Sequence, residues 1–227
     1  CVIAEELGRF LAPVPFSSSV YLFTEAIIKY GSEEIKKDLL PKLVSGDVIG
    51  TLAVTEDLYA PSKDNIKLSC ESGKINGKKI AVPDASIATH ALVVAKSDKG
   101  VCLQIADLSH EGVSIEHQEN IDESRGHFSI TFEGVDTHAI GDEISGWDIY
   151  ESIINQAAVL FAYEQIGGSQ ASLDMAVNYA KERYAFGRPI GSYQAIKHKL
   201  ADMYIALTLA KSNCYYAAWA LSTDSAD

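Results

Sequence analysis

The sequence predicts an α+β protein: a helical segment, a central small β-barrel or sandwich, and then long antiparallel helices. Three observations carry this. Apolar residues recur at helical spacing in residues 1–46 and again in 143–227. Between them, in 47–142, short β-branched or alternating runs are separated by Gly, Asp, Asn and Ser. The chain has 227 residues, 47% of them hydrophobic, which is enough for more than one core.

In the first stretch Val2, Ile3, Leu7, Phe10 and Leu11 form a helical stripe that Pro13 and Pro15 stop. Ser17 to Ser19 are placed to cap a second helix running to Tyr30, which Gly31 ends. Ser32 followed by Glu33 and Glu34 opens a third helix, with its acids in the first turn, and Gly46-Asp47 turns the chain.

Strands are expected at 48–54, 66–70, 79–82, 91–95, 101–107 and 127–132. Asn76-Gly77 reads as the strong hairpin turn, and Gly73 and Gly134 as weaker ones. From Ser145 a helix of about ten turns follows, apolar on more than one face and expected to be buried, with Gly167-Gly168 near its middle. A last helix from Gln194 to about Leu221 pairs with it.

Composition excludes several classes. A net charge of -12 disfavours nucleic acid or an anionic membrane as partner. The middle stretch alone carries 8 Lys and Arg against 16 Asp and Glu, which reads as a solvated acidic surface. Cys1, Cys70, Cys102 and Cys214 lie far apart without a CxxC, which fits a reducing, cytoplasmic setting better than a disulfide framework. The six histidines show no HxH or HxxxH, and no metal site is expected.

The most informative stretch is 179–203. It ends one helix, breaks at Gly187-Arg188-Pro189 and starts another near Tyr193, gathering Arg183, Phe186, Arg188 and Gln194 at one corner. An Arg for phosphate, an aromatic face for a ring and an amide for its edges could hold a phosphate-linked planar cofactor. An ordinary helix corner with solvated arginines is the alternative.

The pattern R-x-x-F-G-x-P-I-x-x-x-Q, followed by Leu200 to Met203 reading LADM, resembles the C-terminal helical domain of flavin-dependent acyl-CoA dehydrogenases. The run YGSEEIKKDLLPKLVSGDVIGTLAVTE independently resembles that family's helix-to-barrel junction. The resemblance covers nearly the whole chain and implies a piece of a longer protein, lacking the family's opening and closing helices. It implies FAD, with Arg183, Phe186 and Gln194 gripping the adenine and pyrophosphate of a flavin bound mainly by a neighbouring subunit. It further implies an acyl-CoA substrate, desaturated between its α and β carbons, an electron-transferring flavoprotein as acceptor, and a dimer or tetramer.

Departures from the family pattern matter. Its TEP-x-AGSD loop corresponds here to residues 55–62, where Thr55 and Glu56 match but Leu58-Tyr59-Ala60-Pro61 replaces the glycine-serine loop. Thr55 is the flavin-contact candidate, a strand-end threonine being the alternative. In N-G-x-K-x-W-[IV]-[ST] the tryptophan is Ala81 and the hydroxyl residue is Pro83, which lacks a backbone N–H. Val82-Pro83-Asp84-Ala85 is similar to divergent bacterial members that resemble steroid or side-chain dehydrogenases built from two different subunits.

The family's base lies either near its C-terminal end or on the long helix; the latter position corresponds to Ala157, which carries no carboxylate. Glu164, seven residues on and on the same helix face, is the weak candidate for the catalytic base. A glutamate paired on the surface is the alternative.

Overall fold

The computed structural model describes residues 1–122, 124–141 and 145–223. The expected boundary between 142 and 143 lies outside them. Helices α1 (Val2–Arg9), α2 (Glu25–Tyr30) and α3 (Glu33–Ser45) precede strands β1 (Gly50–Ala53), β2 (Ser69–Glu71), β3 (Lys74–Pro83), β4 (His90–Ser97), β5 (Gly100–Asp107), β6 (Val113–Gln118) and β7 (His127–Ile140). Then come α4 (Gly146–Glu182), the two-residue strands β8 (Tyr184–Ala185) and β9 (Arg188–Pro189), and α5 (Gln194–Thr223). The chain divides into two compact units, residues 13–157 and residues 1–12 with 158–227.

In the first unit the strands close a barrel. β4 pairs with β5, β5 with β7, β7 with β3 and β3 with β2, all antiparallel, and β2 returns to β4 in parallel through Ser69 opposite Lys96. β1 lies parallel on β4, and β6 lies on β7. Alternate residues fill the interior: Ala91, Val93 and Ala95 from β4, Ile130 and Phe132 from β7, with Ile75 from β3. Small residues on β4 leave room for the large ones opposite.

Asn76-Gly77 is not the hairpin turn. Ser72 and Gly73, at φ +51° and +79°, make the two-residue connection between β2 and β3. Asn76 and Gly77 lie inside β3, where the pairing with β7 shifts register between Ile75 and Gly77, and Asn76 Oδ1 accepts from the Gly134 N–H at 2.7 Å. The two turn signals therefore face each other across a bulge. β6 was not expected: its alternation, Val113, Ile115 and His117 against polar neighbours, is that of an exposed edge strand.

Ser17 to Ser19 do not cap a helix; they begin a π-helical stretch, Ser17–Thr24, that runs into α2. Each hydroxyl is spent on another segment: Ser17 accepts from Arg125, Ser18 donates to Asp84, and Ser19 accepts from the Gly50 N–H. Phe23 packs so close to Gly50 that any side chain there would overlap its ring. Ser32 does cap α3, and Gly46 closes it in the left-handed conformation.

The barrel also buries a cation. Lys79 of β3 is fully covered, and its Nζ lies 2.7 Å from Glu56 Oε1 and 2.9 Å from the Val54 carbonyl. Burial pulls its pKa down to about 8, against the opposing pull of Glu56.

In the second unit α4 and α5 form an antiparallel hairpin: Ala180 lies against Gly191 near the corner, and the Tyr163 and Tyr215 rings meet edge-on at 6.0 Å. α1 packs on α4 through small residues. A Cβ on Gly8 would sit 1.9 Å from the Glu164 carbonyl oxygen, and one on Gly167 1.8 Å from that of Glu5. The expected stripe is thus not the buried face of α1; Ala4 and Gly8 are, while Val2, Ile3, Phe10 and Leu11 are exposed. α4 buries Ile166, Leu173 and Ala180 at heptad spacing but exposes Met175 and Tyr179, and α5 has no buried residue.

Two outcomes follow. Gly167→Ala gains about 1 kcal/mol of helix propensity but meets backbone, so a net loss of about 1–3 kcal/mol is expected from overpacking, read as a lowered Tm. Lys79 holds fewer protons folded than unfolded between about pH 8 and 10.5, the ordinary lysine pKa. Its contribution to stability therefore rises with pH across that window, the cost of the buried cation being fully present below it. Chemical denaturation at pH 7.5 and 10 should show the unsubstituted protein gaining on Lys79→Met as pH rises.

Candidate functional site

The corner that follows α4 is a β-ribbon rather than a simple helix break. α4 stops at Glu182, β8 and β9 pair as Tyr184 with Pro189 and Ala185 with Arg188, and Phe186-Gly187 form the two-residue loop. Both loop residues have positive φ, +54° for Phe186 and +81° for Gly187, as a hairpin turn of this kind requires. Glycine accepts this freely; phenylalanine pays on the order of 1–2 kcal/mol.

The ribbon is tied down around that strained residue. The Ile190 N–H donates to the Arg183 carbonyl at 2.8 Å, and the Tyr193 hydroxyl donates to the Ala185 carbonyl at 2.9 Å. The Arg188 guanidinium lies over the Tyr193 ring, 4.0 Å from its centroid. Arg188 is thereby used within the corner. Arg183 and Gln194 are exposed and their side chains make no hydrogen bond or ion pair among the described residues, while Phe186 is 97% exposed. A cation, an aromatic face and an amide are thus presented together with their binding capacity unspent.

Glu164 lies elsewhere. It is half-buried on α4 where α1 crosses it, and eighteen residues of helix, roughly 27 Å at 1.5 Å per residue, separate it from the end of α4. Its carboxylate makes no hydrogen bond to a described residue. Within one chain, Glu164 and the corner do not form a single site. Ala157, two helical turns earlier, is fully buried.

Thr55 follows β1 in the barrel unit. Its carbonyl accepts from the Ile80 N–H at 2.8 Å, but its own N–H and hydroxyl have no partner among the described residues. Glu56 beside it accepts from the Lys67 N–H at 2.8 Å, the Leu68 N–H at 3.0 Å and Lys79 Nζ. The loop beyond is open, with Leu58 and Tyr59 exposed.

At the end of β3 the donors are spent or missing. Ala81 adopts φ +52° at a register shift, and its N–H goes to Gln118 Oε1 at 2.7 Å. Pro83 has no N–H, and its carbonyl accepts from the Thr51 hydroxyl at 2.6 Å. Asp84 pairs with Arg125 at 2.6 Å. The donor set suits FAD at the corner and at Thr55, and does not at Ala81 and Pro83. Sequence reading missed Lys79, Gln118 and Arg125; only Lys79, a cation in a strand of apolar alternation, carried a signal.

Among the described residues no three His, Cys, Asp or Glu side chains gather as a metal site, no helix is long and apolar enough to cross a membrane, and no two cysteines form a disulfide.

Family profiles match at both ends: "Acyl-CoA dehydrogenase, N-terminal domain" over residues 1–47 and "Acyl-CoA dehydrogenase, C-terminal domain" over 145–227. A mitochondrial 2-methylacyl-CoA dehydrogenase of Solanum tuberosum is 30% identical over 96% of this chain and 57% of its own length. An acyl-CoA dehydrogenase of Bacillus subtilis is 30% identical over 94% of this chain and 60% of its own. Among solved structures, a steroid acyl-CoA dehydrogenase variant superposes with a TM-score of 0.85 at 29% identity, covering 98% of this chain and 60% of that one. Butyryl-CoA dehydrogenase of Megasphaera elsdenii gives 0.89 at 25% identity, over 96% and 61%. The chain spans about three-fifths of the length of these relatives. With the family's profiles at both ends, its fold throughout and its FG corner intact, the chain belongs to the acyl-CoA dehydrogenase family.

Proposed function

We propose that the protein works as an FAD-dependent acyl-CoA dehydrogenase that forms an α,β-double bond in an acyl-CoA thioester. The observation that carries this is the corner itself. A strained, almost fully exposed Phe186 between Arg183 and Gln194, both unpaired among the described residues, is costly for the fold and gains no contact from a described residue. FAD, when bound, accepts the hydride that leaves the β-carbon. Arg183 would hold its pyrophosphate, Phe186 would cover the adenine and Gln194 would meet the ring edges, while the Thr55 N–H and hydroxyl would donate to the flavin ring.

Glu164 is the carboxylate proposed to take the α-proton. Its distance from the corner along α4 is what a flavin shared between subunits would need, so the working form would be a dimer or tetramer. The electron acceptor would be an electron-transferring flavoprotein. On this reading 1–46, 47–142 and 143–227 are the end of a helical domain, a β domain and the start of a helical bundle, and four cysteines that form no disulfide suit a cytoplasmic setting.

The second reading is a half-site subunit of a heteromeric dehydrogenase, lending Arg183, Phe186 and Gln194 to a flavin held by its partner. What favours it is the spent N–H of Ala81 and the missing one of Pro83.

The visible absorption spectrum of the intact protein separates the two. A bound flavin that bleaches with an acyl-CoA is expected for the enzyme, with bleaching slowed at least a hundredfold in Glu164→Gln if Glu164 is the base. A colourless protein that turns yellow only with a second dehydrogenase chain would sink the first reading. Phe186→Gly should relieve about 1 kcal/mol of backbone strain and raise Tm, yet weaken FAD binding. Unchanged FAD affinity would remove Phe186 from the site.

A further inference from the structure

We propose that Glu56 and Lys79 are a positioning pair that fixes the backbone at Thr55 so that its two free donors face a flavin ring. The inference rests on the reading that this chain binds FAD through Thr55, and adds two residues to that site. The contacts surround one peptide unit. Before Thr55, the Val54 carbonyl accepts from Lys79 Nζ at 2.9 Å. At Thr55, the carbonyl accepts from the N–H of Ile80, the residue next to Lys79, at 2.8 Å. After it, Glu56 Oε1 accepts from the same Nζ at 2.7 Å.

Glu56 is held in turn. Its two carboxylate oxygens accept from the Lys67 and Leu68 N–H groups, and its side chain is 9% exposed against 0% for Lys79. The acceptors around Thr55 are therefore all turned toward β3 and the start of β2. What remains is an N–H and an O–H on one residue, half-buried and without a partner among the described residues. Two donors side by side on a fixed backbone match the carbonyl and ring-nitrogen acceptors along one edge of a flavin, provided that the backbone does not swing.

The ammonium is suited to this and a neutral donor would be less so. Lys79 spends one proton on each side of Thr55, and Glu56 keeps the charge in place. Burial pulls the Lys79 pKa down to about 8, the direction expected of a desolvated cation. The apolar cluster of the barrel is built of Ala, Val, Leu, Ile, Phe and Cys side chains.

The test is a double-mutant cycle on FAD affinity of the intact protein, followed by flavin fluorescence, with circular dichroism and Tm recorded for each variant. Thr55→Val should weaken FAD binding about tenfold, the worth of one or two hydrogen bonds. Lys79→Met should do the same. The double variant should be no weaker than Lys79→Met alone, because a displaced Thr55 has no contact left to lose. Losses that multiply to about a hundredfold would mean that Lys79 and Thr55 act independently and would overturn the proposal. Should Lys79→Met fail to fold, Glu56→Gln, which keeps the shape and weakens the pair, is cycled against Thr55→Val on the same criterion. Failure of the unsubstituted protein to bind FAD would instead overturn the functional reading, and the positioning role with it.

Discussion

Barrel closure in this protein hangs on one carboxylate. β2 is three residues long and returns to β4 through a single opposed pair, Ser69 with Lys96, and one further hydrogen bond from the Lys96 N–H to the Leu68 carbonyl. So short a strand cannot hold its own register. Glu56 does it from outside, by accepting the Lys67 and Leu68 N–H groups where the chain enters β2. Lys79 meets that carboxylate inside the barrel at 2.7 Å, and removing one member of a buried pair costs about 3–5 kcal/mol. The seam of the barrel and the approach to Thr55 are therefore one structure, and neither can be altered without the other.

How much of this was legible depended on whether the signal was local. Helix ends were, because a cap is a local event: Ser32 and Gly46 bound α3 as their chemistry requires. The FG corner was legible for a similar reason, Arg183 to Gln194 lying within twelve positions of one another. Asn76-Gly77 misled because two turn signals lie four positions apart, and pairing with β7, seen only in three dimensions, made one a hairpin and the other half of a bulge. The face of α1 misled because helix contact here selects for absence of side chain. Ala4, Gly8 and Gly167 bring backbones together, and a hydrophobic stripe says nothing of that.

The candidate site was half legible. Arg183, Phe186 and Gln194 could be named from their spacing, but the reason for their exposure could not. It needed the ribbon of β8 and β9, whose two-residue loop forces Phe186 to positive φ. Lys79 stood in the family motif among the matching positions, Asn76, Gly77 and Val82 being the others, and the losses at Ala81 and Pro83 drew attention from it. Its significance is a matter of burial, which no spacing encodes.

The two places proposed to meet a cofactor, each within its own compact unit, differ in how firmly they are built. At Thr55 the barrel holds a backbone rigid through a buried charge, so that donors are ready before anything binds. At the corner, a bulky residue is held in a conformation that glycine would adopt more easily, with its ring in water. Strain of that kind persists only if something else holds it, and here the Ile190 and Tyr193 hydrogen bonds and the Arg188 contact with Tyr193 supply the hold within the chain. Among the described residues nothing covers the ring, which is 97% exposed. Rigid donors at one position and a strained, unpartnered aromatic at the other are what a protein would keep if each chain completed a site with another, since the stability given up is recovered only on assembly.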